Sequence, residues 1–266
     1  MPHLSAISIY PVKSLGGIAL PCARVTPRGL KHDRRFLLVD ANGNFLTQRQ
    51  LPHMAGLQTR LINQELEIDG AGQAMLQVPL VPHGHEIEVN IWGDRVAAIA
   101  VGEICDAWLG EALGISCRLV WMPEKSRRLV DPNFAKQGEI TSFSDGFPFL
   151  LTSETSLADL NARLDEPVPA ERFRANLQVA GTHAWDEDNW KRLRIGNLEW
   201  ENLKPCARCV VTTIDQQSGA RDGVEPLRTL SMFRNRVGGV MFGLNLVAHS
   251  FGTIRVGDEI EILERF

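Results

Sequence analysis

No stretch of this chain approaches 18 uninterrupted apolar residues, which excludes a helical membrane span. The opening segment MPHLSAISIYPVKSLGG has no basic start followed by a long apolar run, so it does not read as a signal peptide. Neither sign of charge is in excess: 28 basic residues against 32 acidic ones leave a net charge of −4. A balance of that kind gives no general attraction to nucleic acid, so any anion must be held by a few placed residues. The five cysteines (Cys22, Cys105, Cys117, Cys206 and Cys209) are odd in number and irregular in spacing. They read as reduced thiols rather than a disulfide framework, and the chain is expected to be cytoplasmic. Internal repeats, low-complexity segments, a P-loop and a GxSxG elbow are all missing, and no paired carboxylates stand out. The histidines offer only His83-Gly-His85, in a Pro/Gly turn that reads as surface.

What is present is an ordinary globular composition, 44% hydrophobic and 23% charged. A chain of 266 residues corresponds to one or two domains and buries roughly 70–75% of its unfolded surface without a staple. Most of the punctuation is that of β structure. Arg35–Val39 is a short apolar run ended by Asp40-Ala-Asn-Gly43. Glu86–Trp92 alternates with period two, and Gly93-Asp94 turns it into Arg95–Val101, a hairpin. Leu193–Trp200 repeats the scheme around Gly196-Asn197, and Gly252–Val256 with Glu259–Leu263 reads as another hairpin around Gly257-Asp258. Helical spacing is confined to Gly102–Gly114, to Glu154–Leu164 with Ser153 as N-cap, and to a short segment opened by Pro226. Strands outnumber helices without alternating with them, which predicts an α+β, mainly β protein of barrel type with a few peripheral helices. The polar, proline-bearing stretch 120–145 marks a boundary, a long surface loop or a lid; we divide the chain into domains 1–120 and 121–266.

The most unusual local feature is Lys204-Pro-Cys-Ala-Arg-Cys209. Fewer than about one chain in ten of this composition carries a CxxC pair by chance. A zinc ribbon needs a second ligand pair, which the other cysteines do not supply. A thioredoxin-like motif opens a helix, whereas Val210-Val-Thr-Thr-Ile214 reads as a strand. One reactive thiolate, favoured by Lys204 and Arg208, or structural cysteines remain; a thiolate suits a soft or high-valent metal centre. Lys13 and Ser14, beside Gly16-Gly17, suit a phosphate or are a solvated loop. In Lys31-His-Asp-Arg-Arg35 an arginine either grips an anion or marks a charged strand end. In Arg172-Phe-Arg174-Ala-Asn176, strand alternation puts Arg174 and Asn176 on one face, for an anionic heterocycle or for structural salt bridges. Trp185, Trp190 and Trp200 read as core.

Taken in order, YPVKS, HDRRFLLVD, TQRQ, LLTSETSLADLNARL, RFRANLQVAG, WDEDNW, PCARCVVTTID, EPLRTL, FGLNLVA and GTIRVGDEIEIL resemble the MOSC-domain proteins with an amino-terminal β-barrel domain. That group includes the amidoxime reducing component and its bacterial relatives. The resemblance spans nearly the whole chain and implies a molybdenum cofactor, a phosphorylated pterin dithiolene holding molybdenum. It implies Cys209 as the catalytic molybdenum ligand, with Cys206 a neighbour. Lys13, Ser14, Arg34, Thr152, Ser153, Arg174, Asn176 and Arg208 are implied as cofactor-binding residues, Arg34 being preferred to Arg35 on the motif alone. The implied activity is a two-electron reduction of small N-hydroxylated compounds (amidoximes, hydroxylamines, N-hydroxylated nucleobases), the oxygen leaving as water. Close bacterial relatives often carry a fused [2Fe–2S] domain, whereas this sequence stops at Phe266 without a four-cysteine set. Electrons are therefore expected from a separate ferredoxin- or flavin-type protein, with no membrane or nucleic-acid partner. A non-catalytic molybdenum-cofactor or sulfur carrier is the alternative, and a zinc or dithiol module on Cys206 and Cys209 a third reading.

Overall fold

Alternating apolar residues at the ends of this sequence meet in one large sheet. The computed structural model describes residues 1–70, 72–221 and 223–266. Among these the chain is α+β and mainly β, with three α-helices: α1 (Glu103–Leu113), α2 (Glu154–Asn161) and α3 (Leu227–Arg234). The large sheet has nine strands. Eight run in the order Ile18–Leu20, His3–Ile9, Leu177–Ala180, Phe149–Ser153, Gly239–Ala248, Leu198–Ala207, Trp190–Ile195, Ile260–Arg265, and Asn235–Arg236 pairs with Gly239–Ala248. Its neighbours are antiparallel except for the pair Phe149–Ser153 and Leu177–Ala180. Backbone bonds from Leu4 N to the Asp258 carbonyl (2.9 Å) and from Ile260 N to the Pro2 carbonyl (2.9 Å) bring the start of the last strand against His3–Ile9, the second in the order, so the sheet curls into a barrel. Leu4, Ile7, Leu151, Leu177, Trp190, Trp200 and Leu244 fill its interior. Phe149 meets Trp200 edge to face at 4.7 Å between centroids.

A second body carries the sheet Phe36–Val39, Arg118–Trp121, Asp94–Ala100, Glu86–Ile91 and the sheet Gln58–Ile62, Glu65–Asp69, Leu76–Pro79. α1 covers the latter with Leu109 and Leu113 and ends on left-handed Gly114, as its glycine predicts. Ser153 caps α2 by accepting from the Ser156 amide, as expected.

Three local expectations fail. Gly252–Arg255 and Ile260–Arg265 form no hairpin: the first pairs with Cys22–Thr26 and the second with Trp190–Ile195. Their turn is fastened to the amino-terminal strand, Gly257 N donating to the Leu4 carbonyl (2.8 Å), which splays the two runs toward different sheets. Val210–Thr213 is a 3-10 turn rather than a strand. The Thr212 and Thr213 hydroxyls donate to the carbonyls three residues back, at 2.9 and 2.8 Å, which overrides the β-branched propensity. Arg174 and Asn176 do not alternate along a strand either: Ala170–Phe173 is a 3-10 turn and Arg174 is left-handed (φ 52°).

Candidate functional site

After the strand His3–Ile9 the chain turns inward at Tyr10-Pro11, and Lys13 N donates to the Phe36 carbonyl at 3.0 Å. That bond and a left-handed Ser14 (φ 73°) place Lys13 and Ser14 in the wall of a cavity of about 330 Å³. Gly17 is required beside them, because a Cβ there would lie 2.5 Å from the ring of Tyr10. Tyr10, the single tyrosine of the chain, is buried and holds two guanidinium groups, Arg34 and Arg174, each 4.3 Å from its ring centroid. Burial pushes the Tyr10 hydroxyl above its ordinary pKa, against the pull of Arg174 and Arg34.

Both arginines occupy left-handed positions (φ 46° at Arg34), so a turn rather than a strand aims each one into the cavity. Arg34 donates to Asp33 Oδ2 (2.7 Å), Asn176 Oδ1 (3.1 Å) and the Arg174 carbonyl (3.0 Å). Arg174 donates to Gln216 Oε1 (2.8 Å) and the Leu15 carbonyl (2.7 Å). Asn176 also accepts from Leu150 N and donates to the Ser8 carbonyl, so its amide ties three segments together at the cavity wall. Arg35 faces elsewhere, bonded to Glu124 at 2.6 Å.

The thiols arrive from the other side. Register shifts between Asn202 and Lys204 and between Pro205 and Ala207 interrupt the strand Leu198–Ala207, and such bulges re-aim side chains. Lys204, Cys206, Arg208 and Cys209 all line the cavity. Arg208 donates to Cys206 Sγ (3.0 Å) and the Phe173 carbonyl (2.7 Å), leaving its buried Nε without a partner. Cys209 Sγ accepts from Arg49 Nη2 at 3.3 Å. The same guanidinium meets Asp145 Oδ2 at 3.2 Å and lies 4.7 Å from the Trp92 ring centroid.

Asp145 also pairs with Lys13. Burial lowers the Lys13 pKa to about 8, against the pull of Asp145. Burial likewise lowers Arg174 to about 10. Desolvation works to raise the Asp145 carboxyl, but Lys13 and Arg49 hold it well below the usual carboxylate range. With 61% of its side chain exposed, solvent screens both pairs. The cavity wall therefore carries six cationic side chains (Lys13, Arg34, Arg49, Arg174, Lys204, Arg208) against one carboxylate, Asp145. Among the described residues no group of three or more His, Cys, Asp or Glu gathers as a metal site, and both thiols are free.

Seven of the nine residues expected at the site meet here: Lys13, Ser14, Arg34, Arg174, Asn176, Arg208 and Cys209. Thr152 and Ser153 are not among its lining. Both are buried, and the Ser153 hydroxyl is committed to the cap of α2 and to Thr155 and Thr182. No motif or spacing in the sequence marks Arg49, Asp145 or Arg128 for the site. Arg128 is buried and donates to the carbonyls of Ser142, Ser144 and Asp145, fixing the loop that presents Asp145. TQRQ already contained Arg49, but nothing in its aperiodic neighbourhood said where the side chain would point.

Comparison with known proteins gives two family matches: the MOSC N-terminal beta barrel domain over residues 1–116 and the MOSC domain over residues 139–261. The chain is 32% identical to mitochondrial amidoxime-reducing component 1 of Mus musculus over 274 residues, covering 96% of this chain and 80% of that protein. The same protein of Homo sapiens is 32% identical, with 96% and 81% covered. Molybdenum cofactor sulfurase of Oryza sativa is 34% identical over 267 residues, 92% of this chain but 32% of that protein. A solved structure, the YUAD protein from Bacillus subtilis, aligns with 98% of this chain and 94% of its own at 11% identity, with a TM-score of 0.44.

Proposed function

Because the chain belongs to the MOSC-domain family, with a MOSC N-terminal beta barrel domain ahead of its MOSC domain, we propose that it is a molybdenum-cofactor-dependent reductase of small N-hydroxylated compounds. The observation that carries this reading is a cysteine, Cys209, opening onto a cavity whose wall is cationic and amide-bearing.

The residues present fit a phosphorylated pterin with a metal on its sulfur side. Six cations in the wall are opposed by Asp145 and, behind Arg34, by Asp33, so a phosphate entering the cavity finds an excess of positive charge. Burial depresses Lys13 to about 8, and a bound anion opposes that depression. Arg208 Nε is a buried donor with no acceptor of its own. When bound, the cofactor supplies two-electron chemistry that removes the oxygen of an N–OH group, which leaves as water.

The chain's residues then divide the work. Cys209 ligates the metal, and Arg49 holds that sulfur in place. Cys206, bonded to Arg208, is a neighbour and not a ligand. Lys13, Ser14, Arg34, Arg174 and Arg208 hold the cofactor's phosphate and pterin, and Asn176 sets the spacing between the Arg34 turn and the neighbouring strands. Charge-assisted contacts contribute roughly 1.5–3 kcal/mol each, and a few together retain the group tightly. Electrons come from a separate donor protein of ferredoxin or flavin type. No helix among the described residues is long and apolar enough to cross a membrane.

The relationship to molybdenum cofactor sulfurase favours a second reading, a carrier that holds the cofactor without turnover. Protein purified from cells that make the cofactor tests both, with molybdenum measured by elemental analysis and the pterin by fluorescence. Absence of both overturns the proposal. Turnover of benzamidoxime with an artificial reductant selects the reductase, and a loaded protein that never turns over selects the carrier. Cys209→Ala is expected to abolish reduction, and Cys206→Ala to have a milder effect.

A further inference from the structure

Each arginine and lysine of the cavity has a hydrogen-bond acceptor within the chain except one. Lys13 and Arg49 reach Asp145; Arg34 and Arg174 reach side chains and carbonyls; Arg208 reaches Cys206 and the Phe173 carbonyl. Lys204 Nζ has neither a carboxylate nor a carbonyl among the described residues. It lies instead over two phenylalanine rings, 4.2 Å from the centroid of Phe134 and 5.6 Å from that of Phe147. The two rings meet edge to face at 6.2 Å. Phe147 and Lys204 line the cavity and are half-buried, and Phe134 behind them is 43% exposed.

This aromatic corner is built rather than incidental. The register shift after Asn202 turns Lys204 inward. Phe134 belongs to the loop joining Arg128–Leu129 to Ile140–Thr141, and that loop is tied to the barrel strand Leu198–Ala207 where Lys136 pairs with Glu201 at 3.1 Å. The most buried cation, Lys13, lies elsewhere in the wall beside Asp145. A flat group entering past Phe147 meets a ring on one side and an ammonium with no counter-ion at the other.

We infer that Lys204, with Phe147 and Phe134, forms the substrate-recognition corner of the cavity and selects planar aromatic N-hydroxylated compounds bearing a carboxylate or other anionic substituent. This rests on the reductase reading and names the substrate class of the same site. The ring stacks against Phe147 and the anion pairs with Lys204, while the N–OH group points toward Cys209. An ammonium held on aromatic faces keeps its position without a bound partner, so the substrate anion meets a preorganised charge.

Loaded wild-type protein and its variants are compared on benzamidoxime and 4-carboxybenzamidoxime. Wild type is expected to favour the carboxylated compound by about tenfold in kcat/KM, through KM, with the preference shrinking as salt is raised. Lys204→Gln is expected to remove the preference and Lys204→Arg to restore it, while Phe147→Leu raises KM for both compounds. An unchanged ratio in Lys204→Gln overturns the inference, and so does a loss of molybdenum from that variant, which would make Lys204 a cofactor residue. Calorimetry with 4-amidinobenzoate against benzamidine on the same proteins gives a readout independent of turnover, and the affinity ratio must fall in Lys204→Gln. Protein that carries no molybdenum sinks the reductase reading, yet the calorimetric ratio still decides the role of Lys204.

Discussion

Glu187 is 1% exposed in the turn that follows Trp185, and its carboxyl has one acceptor satisfied and one not. Oε2 accepts from the Ser156 hydroxyl at 2.8 Å; Oε1 is buried without a partner. Burial raises its pKa from 4.5 to about 7, the Ser156 bond opposing the rise. Below pH 4.5 the carboxyl is protonated in both the folded and the unfolded chain, and its contribution to stability is fully present. Between pH 4.5 and about 7 the unfolded chain releases its proton while the folded chain keeps it, so stability falls. The accumulated loss, for a rise from 4.5 to about 7 at 1.36 kcal/mol per pKa unit, is roughly 3 kcal/mol above pH 7. Glu187→Gln keeps an acceptor for Ser156 and has no charge to desolvate. It is expected to leave Tm nearly unchanged at pH 4.5 and to raise it by about 5–10 °C at pH 8. Calorimetric melts of both proteins at the two pH values measure this directly. An equal Tm difference at both would refute the argument, because packing, unlike ionisation, does not depend on pH.

Arg174→Lys keeps the charge but loses the fork to Gln216 and the Leu15 carbonyl, and pterin retention in dialysis is expected to weaken roughly 10-fold or more. Ser153→Ala removes the cap of α2 and should cost about 1 kcal/mol by denaturant unfolding, with molybdenum content unchanged. Inorganic phosphate, titrated calorimetrically into cofactor-free protein, should bind progressively more weakly above pH 8, where Lys13 loses its proton, by up to about tenfold per pH unit. Lys13→Met should flatten that dependence; a wild-type affinity independent of pH between 8 and 9.5 would exclude Lys13 from the anion site.

The hairpin Glu86–Ile91 with Asp94–Ala100 was legible because period-two alternation and a Gly-Asp turn both lie within one short window. Gly252–Arg255 and Ile260–Arg265 carry the same local marks yet part company, since their partners lie at positions 22–26 and 190–195. Alternation says which face of a strand is apolar but not which strand will cover it. The site was partly legible for a related reason. Lys13, Arg34, Arg174 and Cys209 sit in motifs whose order resembles a known family, whereas Arg34 and Arg174 are aimed by left-handed turns that strand periodicity misreads. Arg49 and Asp145 meet across 96 residues of sequence, and Arg128 is pinned beneath them by three carbonyls, a relation visible only once the chain is folded.

The strand His3–Ile9 lies between Ile18–Leu20 and Leu177–Ala180, so the barrel of the later half is incomplete without a piece of the earlier one. Lys13, Arg34 and Arg49 come to the cavity wall from the earlier half of the chain, and Cys206, Arg208 and Cys209 from the later half. A nascent chain still short of position 204 owns four of the six cavity cations and neither of the cavity's two thiols. The cavity wall is therefore assembled from both halves of the chain, and a cut between them leaves each fragment with only part of it.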